Sequence, residues 1–142
     1  MNPFLSRLYR IEWGQCDPAG IVFAPRYLDM FTENMVRMFE SAGVPNMRDK
    51  TGPYAGVGTP SVEVSARFLR PASYGDEVLV ESAAPEFGNS SFTIAYRLLL
   101  DGATCVEATE KRVWTVRDPS RPAGLRAERV PDEIRAFFAK GA

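Results

Sequence analysis

The apolar residues of this chain follow two different periods. Between Pro25 and Ala42 they recur every three or four residues, at Tyr27, Met30, Phe31, Met35, Met38, Phe39 and Ala42. This spacing is typical of a helix with one buried face. Pro25 suits the first helical position, where a missing N–H costs nothing, and Gly43 suits the residue that ends a helix. The pattern therefore predicts a long amphipathic helix over Pro25–Ala42.

Alternation of apolar and polar residues predicts strands in much of the remaining chain. The five predicted strands are Phe4–Trp13, Ser61–Phe68, Val78–Ala83, Phe92–Leu100 and Thr104–Val116. Asp101-Gly102 is a strong hairpin signal between the last two strands. Pro131 and the two acidic residues after it predict a short C-terminal helix. One long helix beside consecutive antiparallel strands is an α+β arrangement.

The 142 residues are expected to form one domain, 1–142, without repeats or low-complexity segments. One connection in this domain, Val44 to Gly58, is rich in glycine and proline. It is long for a plain loop, so we expect it to cover a site.

Charge and composition exclude several classes of function. A net charge of −1 without a basic run argues against nucleic acid or an anionic membrane as a partner. No apolar stretch reaches membrane-spanning length, and the N-terminus lacks a signal-peptide pattern. Cys16 and Cys105 cannot form a disulfide framework or a full zinc site, and free thiols indicate a reducing cytoplasm. No metal or other cofactor is expected.

The chain contains no histidine. This absence excludes Ser-His-Asp and Cys-His catalysis and nearly all zinc hydrolase sites. Cys16 lacks a histidine that could activate it, so it is better explained as a small packed side chain than as a nucleophile.

The candidate chemistry lies in the turn Asp17-Pro18-Ala19-Gly20, just before the predicted helix. Pro18 fixes its own φ and Gly20 permits a positive φ, so the turn holds a single carboxylate near the helix start. A carboxylate there can act as a nucleophile or a base, and the first N–H groups of the helix can form an oxyanion hole. This pairing indicates acyl-transfer chemistry. The alternative is that Asp17 only caps or shapes the turn, since aspartate is common in such turns.

Three other carboxylates compete with Asp17 for a catalytic role. Glu63 falls on the polar face of its predicted strand by alternation. Asp29 and Glu33 are four residues apart on the predicted helix, a spacing typical of a solvated helix face.

Two segments resemble a known family. The run Asp17-Pro18-Ala19-Gly20-Ile21-Val22-Phe23, with Pro25 and Tyr27 after it, resembles the signature of the 4-hydroxybenzoyl-CoA thioesterase family. Gly56-Val57-Gly58-Thr59-Pro60, followed by a strand that ends in Ala66-Arg67-Phe68, resembles the second core segment of that family. The resemblance extends from about Arg10 to the C-terminal helix. It implies the hotdog fold, in which an antiparallel five-stranded sheet wraps around one long helix.

The resemblance also implies an activity, the hydrolysis of an aromatic or short-chain acyl-CoA to the free acid and CoA. Asp17 would attack the thioester carbonyl to form an acyl-aspartyl anhydride, or would deprotonate a water. The amide of Ala24 would polarise the carbonyl. One alternative is a noncatalytic acyl-CoA-binding hotdog protein, which has no need of a carboxylate beside the thioester. A hotdog dehydratase is disfavoured because that chemistry depends on a histidine.

The candidate acyl-binding residues lie along the helix and its neighbouring loops: Phe23, Pro25, Thr32, Glu33, Met47, Thr59 and Pro60. Thr32 stands where hydroxybenzoyl-specific relatives carry an acidic residue that binds the phenol hydroxyl. Ala24 is smaller than the aromatic residue at its position in those relatives. We therefore expect a wider pocket, and we expect thioesters without a para hydroxyl to be hydrolysed at least as well as 4-hydroxybenzoyl-CoA.

CoA phosphates require hydrogen-bond donors or cations. Related enzymes carry a basic cluster before the strand that here begins near Phe92. In its place this chain has Asn89, Ser90 and Ser91, whose side chains and N–H groups can form a small anion-binding nest. Arg70 is the candidate cation.

A homodimer is expected as the functional unit. A lone helix cannot cover both edges of the sheet, and exposed edges pair with other chains. The alternating strand Phe92–Leu100 also looks too apolar to lie exposed. The resemblance implies active sites between subunits, with Asp17 of one chain facing the Thr59 region or the Asn89 segment of the other. It further implies a tetramer built as a dimer of dimers.

Overall fold

A computed structural model describes residues 1–139 of the chain, and residues 140–142 of the predicted domain lie outside that range. The elements in chain order are β1 Pro3–Arg10, α1 Pro25–Ala42, β2 Ser61–Phe68, β3 Glu77–Ala83, β4 Glu86–Phe87, β5 Ser91–Leu100, β6 Ala103–Val113, β7 Thr115–Arg117, β8 Leu125–Ala127 and α2 Asp132–Ala139. Neither helix in residues 1–139 combines the length and the apolarity needed to span a membrane.

The long strands form one antiparallel sheet in the order β1-β3-β5-β6-β2, with β4 paired to β5. α1 crosses one face of this sheet and buries its apolar stripe there. Phe31 of α1 stacks on Tyr96 of β5 with ring centroids 4.9 Å apart, and Phe39 lies 5.6 Å from Phe92. This arrangement confirms the predicted α+β class, with the sheet wrapped around one long helix.

The predicted limits of α1 are confirmed. Pro25 occupies the first turn, and the chain leaves the helix through Gly43, whose φ of 98° lies in the left-handed region. The predicted hairpin after β5 is also confirmed, because Asp101 and Gly102 both have positive φ, at 51° and 78°. A two-residue turn with two positive φ angles matches the right-handed twist of the flanking strands.

The predicted limits of two strands were wrong, and two short strands were missed. Trp13 belongs to a short 3-10 helix, Trp13–Gln15, because its carbonyl accepts from Cys16 N–H at 3.1 Å. The predicted strand Thr104–Val116 divides at Trp114, whose backbone bonds to Ser90 and to Glu128 instead of continuing the ladder. The short strands β4 and β8 lie in segments that the alternation pattern does not identify.

The position of β5, the strand predicted over Phe92–Leu100, corrects the argument that its apolar residues indicate an exposed sheet edge. β5 lies in the middle of the sheet, so its apolar residues are buried against α1 and are not an exposed edge. The end strand on the opposite side from β1 is β2, and it is exposed along almost its whole length. Several large apolar side chains of β2 and the residue after it are open to solvent: Val62, Val64, Phe68 and Leu69.

Candidate active site

The turn that carries Asp17 is a small hairpin between the 3-10 helix and α1. Gly20 N–H donates to Asp17 O and Asp17 N–H donates to Ile21 O, both at 2.9 Å. Gly20 has a φ of 82°, which is the conformation predicted for it and which a side chain would strain. A further bond of 2.9 Å, from Phe23 N–H to Gln15 O, closes the base of the hairpin.

The carboxylate of Asp17 is half-buried and held by one of its oxygens. Ala19 N–H donates to Asp17 Oδ1 at 2.8 Å. Within residues 1–139, Oδ2 has no hydrogen-bond partner. The turn thus fixes the orientation of the carboxylate and leaves one oxygen available for chemistry.

The start of α1 offers fewer donors than the sequence suggests. Arg26 N–H donates to Phe23 O at 2.8 Å, and Tyr27 N–H donates to Ala24 O at 3.1 Å. Pro25 has no N–H. The Ala24 amide makes no hydrogen bond in the described part of the chain, so it remains as the donor at this helix end.

Two contacts with Ala72 hold the Asp17 hairpin and the helix start together. Val22 N–H donates to Ala72 O at 2.9 Å, and Ala72 N–H donates to the Tyr27 hydroxyl at 3.1 Å. Burial raises the pKa of Tyr27, so its hydroxyl stays neutral at physiological pH. The Asp17 hairpin is therefore fixed to the middle of the β2–β3 connection.

A cavity of about 330 Å³ opens beside the middle and C-terminal half of α1. Its lining includes three of the predicted acyl-binding residues, Thr32, Met47 and Thr59. The long connection from Val44 to Gly58 forms much of its wall, as its length suggested. Asp17 and Ala24 are not among the lining residues, so within one chain the carboxylate and the cavity are separate.

A buried polar network that the sequence analysis missed reaches the wall of this cavity through Thr32, Thr59 and Arg112. Arg112 Nη2 lies 3.0 Å from Glu110 Oε2, and the two side chains are only 13% and 10% exposed. The Tyr96 hydroxyl donates to Glu110 Oε1 at 3.0 Å. Arg112 also donates to Thr59 O at 2.8 Å and to Thr32 Oγ1 at 3.4 Å. Alternation from Val106 and Ala108 would have placed Glu110 and Arg112 on the core face of β6, which was the available signal.

Burial raises the pKa of Tyr96 far above its usual range, and the neighbouring Glu110 carboxylate raises it further. Tyr96 therefore keeps its proton and donates to Glu110. The Glu110 carboxylate accepts hydrogen bonds from both Tyr96 and Arg112. The Arg112 guanidinium has no acceptor atom, so it donates to the Thr32 hydroxyl.

The remaining predicted acyl-binding residues lie nearer the surface. Phe23, Pro25 and Pro60 are exposed, and Glu33 lies on the outer face of α1, 3.8 Å from Arg37. The competing carboxylates Glu63 and Asp29 are also exposed, as predicted.

The predicted CoA-binding residues fall at opposite ends of the sheet. Arg70 follows β2 near Cys105, while Asn89, Ser90 and Ser91 lie at the start of β5. Phe68 and Leu98 both pair with Val106, so they lie at the same level of the sheet. Ser91 lies seven residues from Leu98 along β5. The distance between these two levels is roughly 23 Å at about 3.3 Å per residue. The Asn89 segment contacts two arginines that the sequence did not single out. Arg129 donates to Asn89 Oδ1 at 3.2 Å, and Arg135 donates to Asn89 O at 2.9 Å.

In residues 1–139, no cluster of three or more Cys, Asp or Glu side chains could hold a metal ion.

The sequence is similar to a family model and to two thioester hydrolases of known name. Residues 11–138 match the family model of the Thioesterase-like superfamily. The chain is 36% identical over 130 residues to the 4-hydroxybenzoyl-CoA thioesterase of Pseudomonas sp. (strain CBS-3), covering 86% of this chain and 88% of the relative. It is 27% identical over 125 residues to the 1,4-dihydroxy-2-naphthoyl-CoA hydrolase of Nostoc punctiforme, covering 87% and 79%.

Solved structures share the fold. The D17N mutant of a 4-hydroxybenzoyl-CoA thioesterase, complexed with 4-hydroxybenzoyl-CoA, superposes with a TM-score of 0.82 at 31% identity, covering 94% of this chain and 96% of that one. The gentisyl-coenzyme A thioesterase BH1999 superposes with a TM-score of 0.79 at 26% identity, covering 94% and 99%. The predicted hotdog fold is thereby confirmed.

Proposed function

The chain belongs to the thioesterase-like superfamily and is a thioester hydrolase, and we propose that it hydrolyses aromatic acyl-CoA thioesters through Asp17. The substrate class rests on the curated relatives, which are named for hydroxybenzoyl and dihydroxynaphthoyl thioesters of CoA. The observation that carries the assignment to Asp17 is its position in the turn just before Ala24. Among residues 1–139, one oxygen of its carboxylate and the Ala24 amide are both without a hydrogen-bond partner.

The proposed reaction begins when the thioester carbonyl oxygen accepts a hydrogen bond from Ala24 N–H. This donor lies at the positive end of the α1 dipole, where negative charge on the oxygen is stabilised. One such donor is typically worth about 10²- to 10³-fold in rate.

Two routes then lead to the same products. In the first, Asp17 Oδ2 forms a bond to the carbonyl carbon, the bond to sulfur breaks, and CoA leaves as a thiolate that takes up a proton. Water then cleaves the acyl-aspartyl anhydride. In the second, Asp17 removes a proton from a water that attacks the same carbon. Both routes consume one water and yield a carboxylic acid and CoA.

The catalytic site is proposed to be completed by a second copy of the chain. β2 begins at Ser61, beside Thr59, and ends at Phe68, shortly before Ala72, to which the Asp17 hairpin is bonded. If two β2 edges pair antiparallel about a two-fold axis, the start of one strand lies beside the end of the other. Asp17 of one chain then faces the Thr59 cavity of its partner.

The same symmetry brings together the predicted CoA-binding residues. Arg70 lies at the Asp17 end of β2, whereas Asn89 lies at the Thr59 end of the sheet. Val113 links that end to Thr59, because its amide donates to Pro60 O at 3.1 Å and it pairs with Ser91. In an antiparallel dimer, Arg70 of one chain approaches the Asn89 segment of the other.

The test is to incubate the purified full chain with benzoyl-, phenylacetyl-, 4-hydroxybenzoyl- and acetyl-CoA and to follow the release of free thiol. We expect hydrolysis of the aromatic thioesters at kcat/KM values in the range of ordinary enzymes, about 10⁴ M⁻¹s⁻¹ or more. Tight binding of these thioesters without thiol release would contradict the proposal and would favour a noncatalytic acyl-CoA-binding protein.

A further inference from the structure

The long connection of residues 44–58 forms much of the cavity wall but is attached to the rest of the domain at few points. The cavity is lined by both of its ends, residues 44–48 and 57–58. The hydrogen bonds that residues 45–57 make to one another each reach at most three residues along the chain. Such bonds build local turns and do not tie the wall to the sheet or to a helix.

Tyr54 attaches the middle of this wall to the domain. Between residues 45 and 60, all of which the structure describes, Tyr54 is the one buried residue. Its ring packs edge-on against Trp114, with centroids 5.7 Å apart, and its hydroxyl donates to Glu133 Oε1 at 3.2 Å. For residues 1–139, this is the only hydrogen bond from residues 45–57 to a residue outside the connection.

The acceptor of this bond belongs to an element that is itself held firmly. Glu133 lies in the first turn of α2. Phe138 of α2 packs edge-on against Phe39, with ring centroids 4.9 Å apart, and Phe39 also lines the cavity. Arg135 Nη2 donates to Asn89 O at 2.9 Å. α2 therefore offers Tyr54 a fixed partner on the side of the connection away from the cavity.

Packing alone does not account for the hydroxyl of Tyr54. A phenylalanine ring would pack against Trp114 equally well, and no hydroxyl would have to be removed from water. The bond to Glu133 offsets that cost and gives the contact a direction. Burial and the Glu133 carboxylate raise the pKa of Tyr54, so its hydroxyl keeps its proton and remains the donor.

We propose that Tyr54 and Glu133 are positioning residues, and that their hydrogen bond holds residues 45–57 against α2 and so sets the width of the cavity. The proposal rests on the proposed function, since it takes the cavity as the acyl pocket. Tyr54 is not a lining residue, so it acts through neighbours that are, Met47 and Val57. Loss of the bond frees the wall to move outward, which favours a larger acyl group over a smaller one.

The first test compares benzoyl-CoA with the larger 2-naphthoyl-CoA. Tyr54→Phe keeps the ring on Trp114 and removes the hydrogen bond. We expect the ratio of kcat/KM for benzoyl-CoA to that for 2-naphthoyl-CoA to fall by about three- to tenfold, the scale of one hydrogen bond. Glu133→Ala should lower the ratio equally, whereas Glu133→Gln retains an acceptor and should stay within about twofold of the wild type.

Tyr74→Phe is the matched control, because Tyr74 is 49% exposed and lies outside the cavity wall. It should leave the ratio unchanged. An equal fall of kcat/KM for both thioesters in Tyr54→Phe, with the ratio preserved, would show a purely structural role and would overturn the proposal.

Limited proteolysis measures the attachment of the wall directly. Arg48 and Lys50 are exposed trypsin sites within the connection. When local opening is fast, cleavage follows the population of the opened segment. Well below the unfolding midpoint, cleavage at these sites should be about threefold faster or more in Tyr54→Phe and Glu133→Ala than in the wild type and Glu133→Gln. Equal rates in all four proteins would contradict the proposed attachment.

Equilibrium binding separates this inference from the proposed function. The dissociation constants of benzoyl- and 2-naphthoyl-CoA are measured by calorimetry on Asp17→Asn, with and without Tyr54→Phe. A shift of their ratio toward the larger thioester in the double variant supports the positioning role even if the wild type hydrolyses neither compound. The same ratio in both proteins, together with hydrolysis by the wild type, would overturn the positioning role and leave the proposed function intact.

Discussion

At the scale of single residues, the proposed chemistry depends on one carboxylate oxygen, Oδ2 of Asp17. Asp17 Oδ1 is occupied by Ala19 N–H, while Oδ2 is free among the described residues. Asp17→Asn keeps the oxygen that accepts from Ala19, so the turn should fold, but an amide is neither a nucleophile nor a base here. We expect kcat for aromatic acyl-CoA hydrolysis to fall by about 10³-fold or more, measured by thiol release under saturating substrate.

Asp29→Asn is the matched control for this change. Asp29 lies in the first turns of α1, is exposed, and pairs with Arg26 at 3.2 Å. Its substitution removes a carboxylate near the same helix end and should alter kcat by less than about threefold, since exposed pairs contribute little. If Asp17→Asn stays within tenfold of the wild type, the chemistry belongs to another carboxylate.

A second prediction at this scale concerns alkaline stability. Burial and Glu110 raise the pKa of Tyr96, and burial also raises the pKa of Tyr27. The unfolded chain releases these protons near pH 10, whereas the folded chain retains them to higher pH. Above about pH 10 the folded state therefore binds more protons than the unfolded state, and the free energy of unfolding falls as pH rises.

Urea unfolding at pH 8, 9.5 and 10.5 measures this effect. Tyr96→Phe removes one of the groups whose pKa is raised by folding, so the loss of stability between pH 9.5 and 10.5 should be smaller in the variant. The same slope in both proteins would show that Tyr96 does not titrate with a raised pKa.

At the scale of elements, the turn before α1 depends on the backbone of Gly20. Its φ of 82° is unfavourable for any residue with a side chain, although a Cβ would meet no atom within 4 Å. Gly20→Ala should therefore cost about 1–2 kcal/mol through conformation alone. Because the turn orients Asp17, kcat should also fall, by about tenfold or more.

Gly14→Ala tests whether the effect comes from the positive φ. A Cβ at Gly14 also meets nothing within 4 Å, and its φ is not positive. The unfolding free energy of this variant should stay within about 0.5 kcal/mol of the wild type. Equal losses in both variants would contradict the backbone argument.

The elements that the sequence predicted best are those specified by local chemistry. The period of α1, its proline start and its glycine end are all encoded within the single segment from Pro25 to Gly43, and they are confirmed. The Asp17 turn is likewise local, because Pro18 and Gly20 restrict it directly.

The polar network of the cavity could not be predicted in the same way. It joins Thr32 of α1, Thr59 before β2 and Arg112 of β6, which are brought together only by the strand order and register. Sequence alternation assigns Arg112 to a face of β6, but it does not say which helix residue lies opposite. The break at Trp114 has the same origin, since its partners Ser90 and Glu128 are distant in sequence.

At the scale of the whole molecule, the two ends of β2 carry different parts of the proposed site. The Asp17 hairpin is bonded to Ala72 just beyond one end, and Thr59 and the cavity lie at the other. A single chain therefore keeps the carboxylate apart from the cavity. In the proposed dimer, an antiparallel pair of β2 strands would bring them together twice, once at each end of the shared edge.

This geometry predicts that dimerisation and activity are lost together. Val64 lies near the middle of β2 with 43% of its surface exposed, so Val64→Lys places a charge on the open edge and acts twice in a symmetric interface. We expect sedimentation velocity to show a homodimer for the wild type and a 15.8 kDa monomer for the variant. In the monomer, kcat/KM should fall by about 10²-fold or more, because a misplaced catalytic group is costly.

Leu8→Lys is the matched control, since Leu8 is 69% exposed on β1 at the opposite edge of the sheet, and this variant should remain dimeric and active. A wild-type chain that is active as a stable monomer would refute the shared site, and a dimer broken by Leu8→Lys instead would move the interface to β1.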